Sequence, residues 1–530
     1  MSAMDRRSFL ATTVGAAVPA RSAPPRRDPR PDIVLILADD MGFSDIGCYG
    51  GEIDTPNLDR LARRGVRFSQ FYCAARCCPT RASLLTGLYP HQAGVGHMVQ
   101  NRGLPSYQGY LNRRCVTLAE VLRPAGYTTL MSGKWHVGER RPHWPCDRGF
   151  DRYFGLISGA SNYFRLDPGR AMALDNEPWT PPPSGFYMTD AFTDHAVRMV
   201  REAAPKQNPF FLYLAYTAPH WPLHALPEDI DKYRGRYLKG WDRLRQERHE
   251  RMIAMGLVAR SWPLAPRDPA VPAWDSLSRK EREEWDLRMA VYAAQIDRMD
   301  RGIGRVLDEL EKAGRLENAF VFFLSDNGGC HEQNIGSGLE QKAPNPLPGG
   351  ADSFTSYRRP WANASNTPFR LYKQYTHEGG ISTPAIAAWT TRIRQPGTIS
   401  HEVGHIIDLM PTVLRISGAS YPKENQGTPV LPPEGVSLTT CLVHGGGLPR
   451  NAPGLFWEHQ GHKGFRQGAW KLVSSRGQGW ELYNLASDRT ELFDLAPRDR
   501  RRVEQMAAEW QRWASRCGVV EFDRLPPARG

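Results

Sequence analysis

Residues 32–40 read DIVLILADD, an unbroken apolar run closed by two acids. A strand buried on both faces of a parallel sheet looks like this, because neither face meets water. Asp39 and Asp40 then stand at its C-terminal end, where the loops of an open α/β sheet converge on a crevice.

The neighbouring segments fit the same architecture. TPNLDRLARRG (55–65) offers Thr55 as N-cap, Pro56 at the first helical position and Gly65 as stop, so a helix follows. VRFSQFY is strand-like, and a helix near Thr117–Leu122 leads into YTTLMS and then Gly133-Lys134-Trp135-His136. PFFLYLAYT leads to Pro219-His220, and AFVFFLS leads to Asp326-Asn327. The alternation predicts an α/β fold with a mostly parallel mixed central sheet flanked by helices. Past a Pro/Gly-rich boundary at Tyr421–Gly435, short strands around LFWEH, AWKLVSS and WELYNL precede a helix carrying Val503, Met506, Trp510 and Trp513. They predict a smaller C-terminal α+β domain on an antiparallel sheet.

With 530 residues, 41% of them hydrophobic and 10% aromatic, the chain exceeds what one core usually holds. The expected division is a leader over 1–30, a catalytic α/β domain over 31–430 with a charged insertion at 225–280, and the C-terminal unit over 431–530. The insertion runs into a long helix whose stripe from Trp285 to Leu310 reads as core, with Ser278 as cap and Gly314 as stop. Residues Pro344–Pro368, rich in Pro, Gly, Ser and Asn, read as a long surface loop and pocket wall.

The leader pairs Arg6 and Arg7 with Phe9, Leu10 and small residues, the pattern of a twin-arginine export signal and hence of a periplasmic or secreted protein. Its apolar run of about twelve residues is too short to span a bilayer, and no later segment is a membrane candidate. Six arginines against two acids in these thirty residues carry +4 of the formal +12. The remaining positive field favours anionic substrates, while interspersed charges without a motif argue against nucleic-acid binding.

Nine cysteines, odd in number and scattered without a repeated C-x-x-C, argue against a disulfide framework. Three of them, Cys73, Cys77 and Cys78, crowd into FYCAARCCPTRASLLTG (71–87), where Pro79 opens a helix and Gly87 ends it. Cys77 thus lies at a helix N-terminus, where free N–H groups and the helix dipole favour anions. Arg81, one turn on, reaches back toward it. Asp39, Asp40, Asp326 and Asn327 form an all-oxygen set suited to Ca²⁺ or Mg²⁺ rather than zinc. Lys134 and His136, two apart, share a face in an extended segment.

Cys77-Cys78-Pro79-Thr80-Arg81 and the run to Gly87 resemble the type I sulfatase signature C-x-P-[ST]-R, and the likeness extends through LILADDMG, GKWHVG, PHWP, SDNGG and FRLYKQYTHEGGISTP. The resemblance, to the arylsulfatase branch of the alkaline-phosphatase superfamily, implies that a maturation enzyme oxidises Cys77 to formylglycine. It implies a Ca²⁺ site, with Mg²⁺ as the alternative, built by Asp39, Asp40, Asp326, Asn327 and the modified Cys77. Arg81 would hold the formylglycine alkoxide, Lys134 and Lys373 the sulfate. His136 would assist sulfate elimination, and His220 would contact the bridging ester oxygen. A serine at position 77 would become a sulfate ester needing hydrolysis at sulfur, whereas a geminal diol expels sulfate by C–O cleavage.

The expected activity is hydrolysis of a small-molecule or carbohydrate sulfate monoester. The competing readings are a formylglycine-dependent phosphonate or phosphodiester hydrolase and a non-catalytic sulfate-binding protein in which Cys77 stays a thiol. His91, His97, His331, Tyr163 and Phe164 read equally well as packing residues and stay outside the predicted site.

Overall fold

The structure, a computed structural model, describes residues 28–333, 343–450 and 454–529. The export-signal pattern at Arg6 and Arg7 lies outside the described residues.

Ten strands form one sheet: β1 (Asp32–Ala38), β2 (Gly65–Tyr72), β3 (Thr128–Gly133), β4 (Arg152–Leu156), β5 (Met172–Leu174), β6 (Glu177–Trp179), β7 (Phe210–Ala215), β8 (Ala319–Ser325), β9 (Ser382–Ala388) and β10 (Thr398–His405). Their order is β10-β2-β9-β8-β1-β7-β3-β4-β5-β6. Only β9 and β5 run against the rest. β1 is central, parallel to β7 and β8, and buried at every position. Val34, Ile36 and Ala38 enter one core and Ile33, Leu35 and Leu37 the other, which accounts for the unbroken apolar run.

Register does the first work of building a site. Ala38 of β1 pairs with Ser325 of β8, so Asp39 and Asp326 leave the sheet side by side. The antiparallel course of β9 matters equally: its first residue lies at the edge where the parallel strands end, so the preceding loop, with Lys373, arrives there too.

Helix α1 (Pro56–Arg64) has Thr55 as N-cap, but the Thr55 hydroxyl accepts from the Gly47 N–H at 2.9 Å instead of capping the helix. The long helix Arg279–Lys312 carries the full capping box of Ser278 and Glu281. Within the described residues no helix is long and apolar enough to cross a membrane. Leu455–His459, His462–Gln467, Trp470–Ser474 and Glu481–Asn484 form a four-stranded antiparallel sheet, covered by helix Arg500–Cys517.

The reading of Pro344–Pro368 as a surface loop is corrected. Residues Arg358–Ser365 are helical, and Trp361 is fully buried, edge-on to Trp241 at 5.4 Å with its Nε1 donating to the Trp285 carbonyl at 2.8 Å. Polar and small residues hid a helix that the aromatic core of the insertion holds in place. Trp361→Ala is expected to cost about 3–5 kcal/mol, read as a lowered urea midpoint.

Candidate active site

Helix α2 (Cys77–Thr86) begins directly after β2, with Arg76 in an extended conformation at its N-cap and no side chain capping the first turn. Cys77 Sγ, 2% exposed, lies 3.5 Å from His136 Nδ1. The Cys78 thiol, Lys134 and His136 hold the Cys77 thiol well below the usual range despite its burial. Cys73 and Cys78 are buried too, and their thiols point to the Ile381 and His97 carbonyls. All nine cysteines are free.

Around this thiol three carboxylates from strand ends meet three cations, from the exit of β3, from α2 and from the loop before β9. Lys134 Nζ donates to Asp39 Oδ2 at 2.5 Å. Lys373 Nζ donates to Asp40 Oδ2 at 2.8 Å and lies 3.4 Å from His220 Nε2. Arg81 Nη2 donates to Asp326 Oδ2 at 2.8 Å and approaches Asp39 Oδ2 at 3.5 Å, while Nη1 donates to the Lys134 carbonyl at 3.0 Å. The guanidinium is thus fixed on the acids, and its expected grip on residue 77 is not among these bonds. Asn327 Nδ2 donates to Asp40 Oδ1 at 2.7 Å.

Asp39, Asp40, Asp326 and Asn327 therefore meet in one buried cluster, and His220 places a ring nitrogen within 4.8 Å of ligand oxygens of Asp39 and Asp40. Burial, with the Asp39 charge, raises the Asp326 carboxyl well above its ordinary value. Burial also raises Asp39, whereas at Asp40 the Lys373 and His220 charges overcome the burial penalty. Two acceptors, Asp39 Oδ1 and Asn327 Oδ1, are buried without a partner among the described residues. Crowded acids and orphaned oxygens suit a hard divalent cation, so the donor set fits Ca²⁺ or Mg²⁺.

The two histidines are held differently. His136 lies at φ +57°, outside any extended segment, so the reading of Lys134 and His136 on one face of a strand is corrected. β3 ends at Gly133, and a turn sends both side chains into the cluster. The His136 ring packs against Gly159, where a Cβ would lie 2.4 Å from Nε2. At His220, Nδ1 lies 2.6 Å from the Trp221 carbonyl; it carries the hydrogen, leaving Nε2 to accept from Lys373. Burial lowers both histidines to about 4, so both are neutral at neutral pH.

Tyr163, left out of the predicted set, has a positioning part: its hydroxyl meets the Thr217 and His220 carbonyls at 2.7 and 2.9 Å. His91 is bonded to Glu458, and His331 stacks on Tyr372. Glu332 escaped the sequence reading. Glu332 bridges Arg76 at 3.0 Å and Trp221 Nε1 at 3.0 Å, joining the neighbours of Cys77 and His220. The only signal was an acid closely following Asp326-Asn327, which has no spacing rule of its own.

A family model described as Sulfatase matches residues 31–419. An uncharacterized sulfatase of Schizosaccharomyces pombe is 37% identical over 533 residues, covering 93% of this chain and 94% of that protein. An arylsulfatase of Klebsiella aerogenes is 35% identical over 431 residues, covering 77% of this chain and 91% of its own length. Among solved structures, that of Ps i-CgsB in complex with k-i-k-neocarrahexaose superposes with a TM-score of 0.68 at 25% identity, covering 93% of this chain and 94% of the other.

Proposed function

The chain belongs to the sulfatase family and is a sulfuric ester hydrolase; on that premise we propose that it cleaves sulfate monoesters with a formylglycine hydrate made from Cys77 by a maturation enzyme. Asp39, Asp40, Asp326 and Asn327 would hold a Ca²⁺ ion. The observation that supports this most is the meeting of the Cys77 side chain with orphaned carboxylate and amide oxygens in one buried cluster.

The hydrate supplies two hydroxyls, one to take sulfur from the ester and one to release it by C–O cleavage. The cation, when bound, would supply charge that favours ionisation of a hydroxyl. The chain's own residues do the rest. Lys134, bonded to Asp39, and Lys373, bonded to Asp40, offer ammonium hydrogens to the sulfate oxygens. Lys373 and His220 Nε2 hold one proton between them, placed for the departing alcohol oxygen. Neutral His136, beside residue 77, takes the proton of the second hydroxyl as sulfate leaves. Arg81, bound to Asp326 and the Lys134 carbonyl, keeps both in place.

Two measurements test this. The tryptic peptide containing residue 77 of matured protein is expected to be lighter by about 18 Da. 4-Nitrophenyl sulfate is expected to turn over at least about tenfold faster than the matching aryl phosphonate. An unmodified mass in a protein that still hydrolyses sulfate rules out the formylglycine route, and a preference for phosphonate rules out the substrate. The Arg6-Arg7 pattern supports export to the periplasm or beyond.

A further inference from the structure

Native proteins rarely leave buried polar groups without partners, and each such group points to a ligand, a water or a function. Near Cys77, three side chains from three segments break this rule together. Arg76 precedes Cys77, His97 follows α2, and His459 closes the first strand of the C-terminal sheet.

Arg76 spends one nitrogen on Glu332, while its Nε and Nη1 are buried without a partner among the described residues. His459 is fully buried, and among the described residues neither of its ring nitrogens has a partner. His97, 7% exposed, stacks on His459 with ring centres 5.9 Å apart and planes 18° apart. Its Nε2 faces the Gln460 amide nitrogen at 3.3 Å, which makes Nε2 the acceptor and Nδ1 an N–H donor with no partner. Burial depresses both histidines, followed at His97 by the Arg102 and then the Arg76 charge and at His459 by the Arg76 charge, and the Cys77 charge also acts on His459. The three therefore share one electrostatic neighbourhood with the residue that carries the chemistry.

The inventory of this neighbourhood is one-sided. Arg76 supplies a permanent positive charge and two open N–H directions, His97 supplies another N–H, and His459 supplies one more together with a lone pair. Glu332, the acid that reaches Arg76, is already bonded there and to Trp221. Open donors around a guanidinium match a planar or tetrahedral oxyanion. Placed beside residue 77, such an anion is a substituent on the alcohol that leaves, because the sulfate being cleaved is met by Lys134 and Lys373.

We propose that Arg76, His97 and His459 form a second oxyanion subsite, which selects sulfate esters whose alcohol carries a further sulfate, sulfonate or carboxylate. This rests on the sulfatase reading above. The subsite joins the two sheets of the molecule, so the C-terminal sheet contributes to substrate choice through His459. It also explains why two neutral, buried histidines and an arginine keep unpartnered nitrogens beside the nucleophile where packing alone would place apolar side chains.

The test uses matured full-length enzyme and compares 4-nitrophenyl sulfate with its 2- and 3-sulfonated and 2- and 3-carboxylated counterparts. At least one doubly anionic ester is expected to show kcat/KM about tenfold above the parent ester. Arg76→Gln and, separately, His459→Gln are expected to reduce that ester's kcat/KM at least about tenfold further than the parent's. The sulfonate and carboxylate arms identify which anion is taken. No advantage for any doubly anionic ester, or equal losses on every ester in both variants, would overturn the subsite and leave its donors to ordered water. Thermal unfolding of both variants separates misfolding from lost recognition. Absence of turnover of every ester by matured wild-type protein strikes instead at the sulfatase reading itself.

Discussion

Cys77→Ser is expected to stop turnover after a single event and leave the protein heavier by about 80 Da, the mass of one SO₃ group. The serine hydroxyl occupies the same first position of α2, beside His136 and within the field of Lys134, so attack on sulfur remains geometrically open. What is lost is the second hydroxyl. Without it, release requires water to reach sulfur, and residue 77 is 2% exposed. Steady-state kcat is expected to fall by about 10⁴-fold or more, with the adduct seen by intact mass after incubation with 4-nitrophenyl sulfate. A variant that turns over at a rate near wild type, with no adduct, would show that neither the diol nor position 77 carries the reaction.

The second large effect concerns stability. Lys471, fully buried, bonds Glu378 at 2.9 Å and Glu491 at 2.7 Å, and Arg489 bonds the other oxygen of Glu378 at 3.0 Å. Tyr72 of β2 donates to Glu378 at 2.9 Å, so the cluster joins the C-terminal sheet to the large one. Lys471→Met removes the cation bound to Glu491 and one of the two bound to Glu378, an expected loss of about 3–5 kcal/mol. Urea midpoints at neutral pH measure it.

The same cluster sets an acid limit. Against the burial penalty, Lys471 and Arg489 lower Glu378 from its ordinary 4.5 to about 2. A depressed carboxyl contributes stability above its unfolded value and loses that contribution as pH falls toward the folded one. Wild-type stability is therefore expected to decline between about pH 4.5 and pH 2, and the gap to Lys471→Met to narrow over that window. A gap that stays constant across it would place the Lys471 effect in packing rather than charge.

How much of this was legible in the sequence depends on the kind of signal. DIVLILADD revealed its strand because burial on both faces leaves no alternation to misread. The strand exits at Asp39, Lys134, His220 and Asp326 followed from that periodicity, and their meeting followed from a parallel sheet. Lys373 is different: only the antiparallel course of β9 brings it to the same edge, and strand direction leaves no mark in residue spacing. The helix at Arg358–Ser365 was hidden because RRPWANAS carries turn-forming residues, and its order comes from Trp241, Trp274 and Trp285 elsewhere in the chain. The turn at His136 was missed because a positive φ at a non-glycine residue is a tertiary outcome. Arg76 and His459 lay beyond reach for the same reason, since an unpaired buried donor is recognised only once its neighbours are known.

Cys77 sits at 2% exposure beneath loops drawn from five strands, and this imposes a chronology. The segment that marks it, CCPTR, is local and readable in an extended chain, whereas the groups that use it, from Asp39 to Lys373, gather only when the sheet closes. On the proposed formylglycine route the oxidising enzyme has to act while the chain is still open, because a molecule that folds first shuts its own thiol away. On that route the fraction of active protein follows a race between modification and folding during synthesis, and slowing the closure of β9 onto β8 is expected to raise the yield of modified chains.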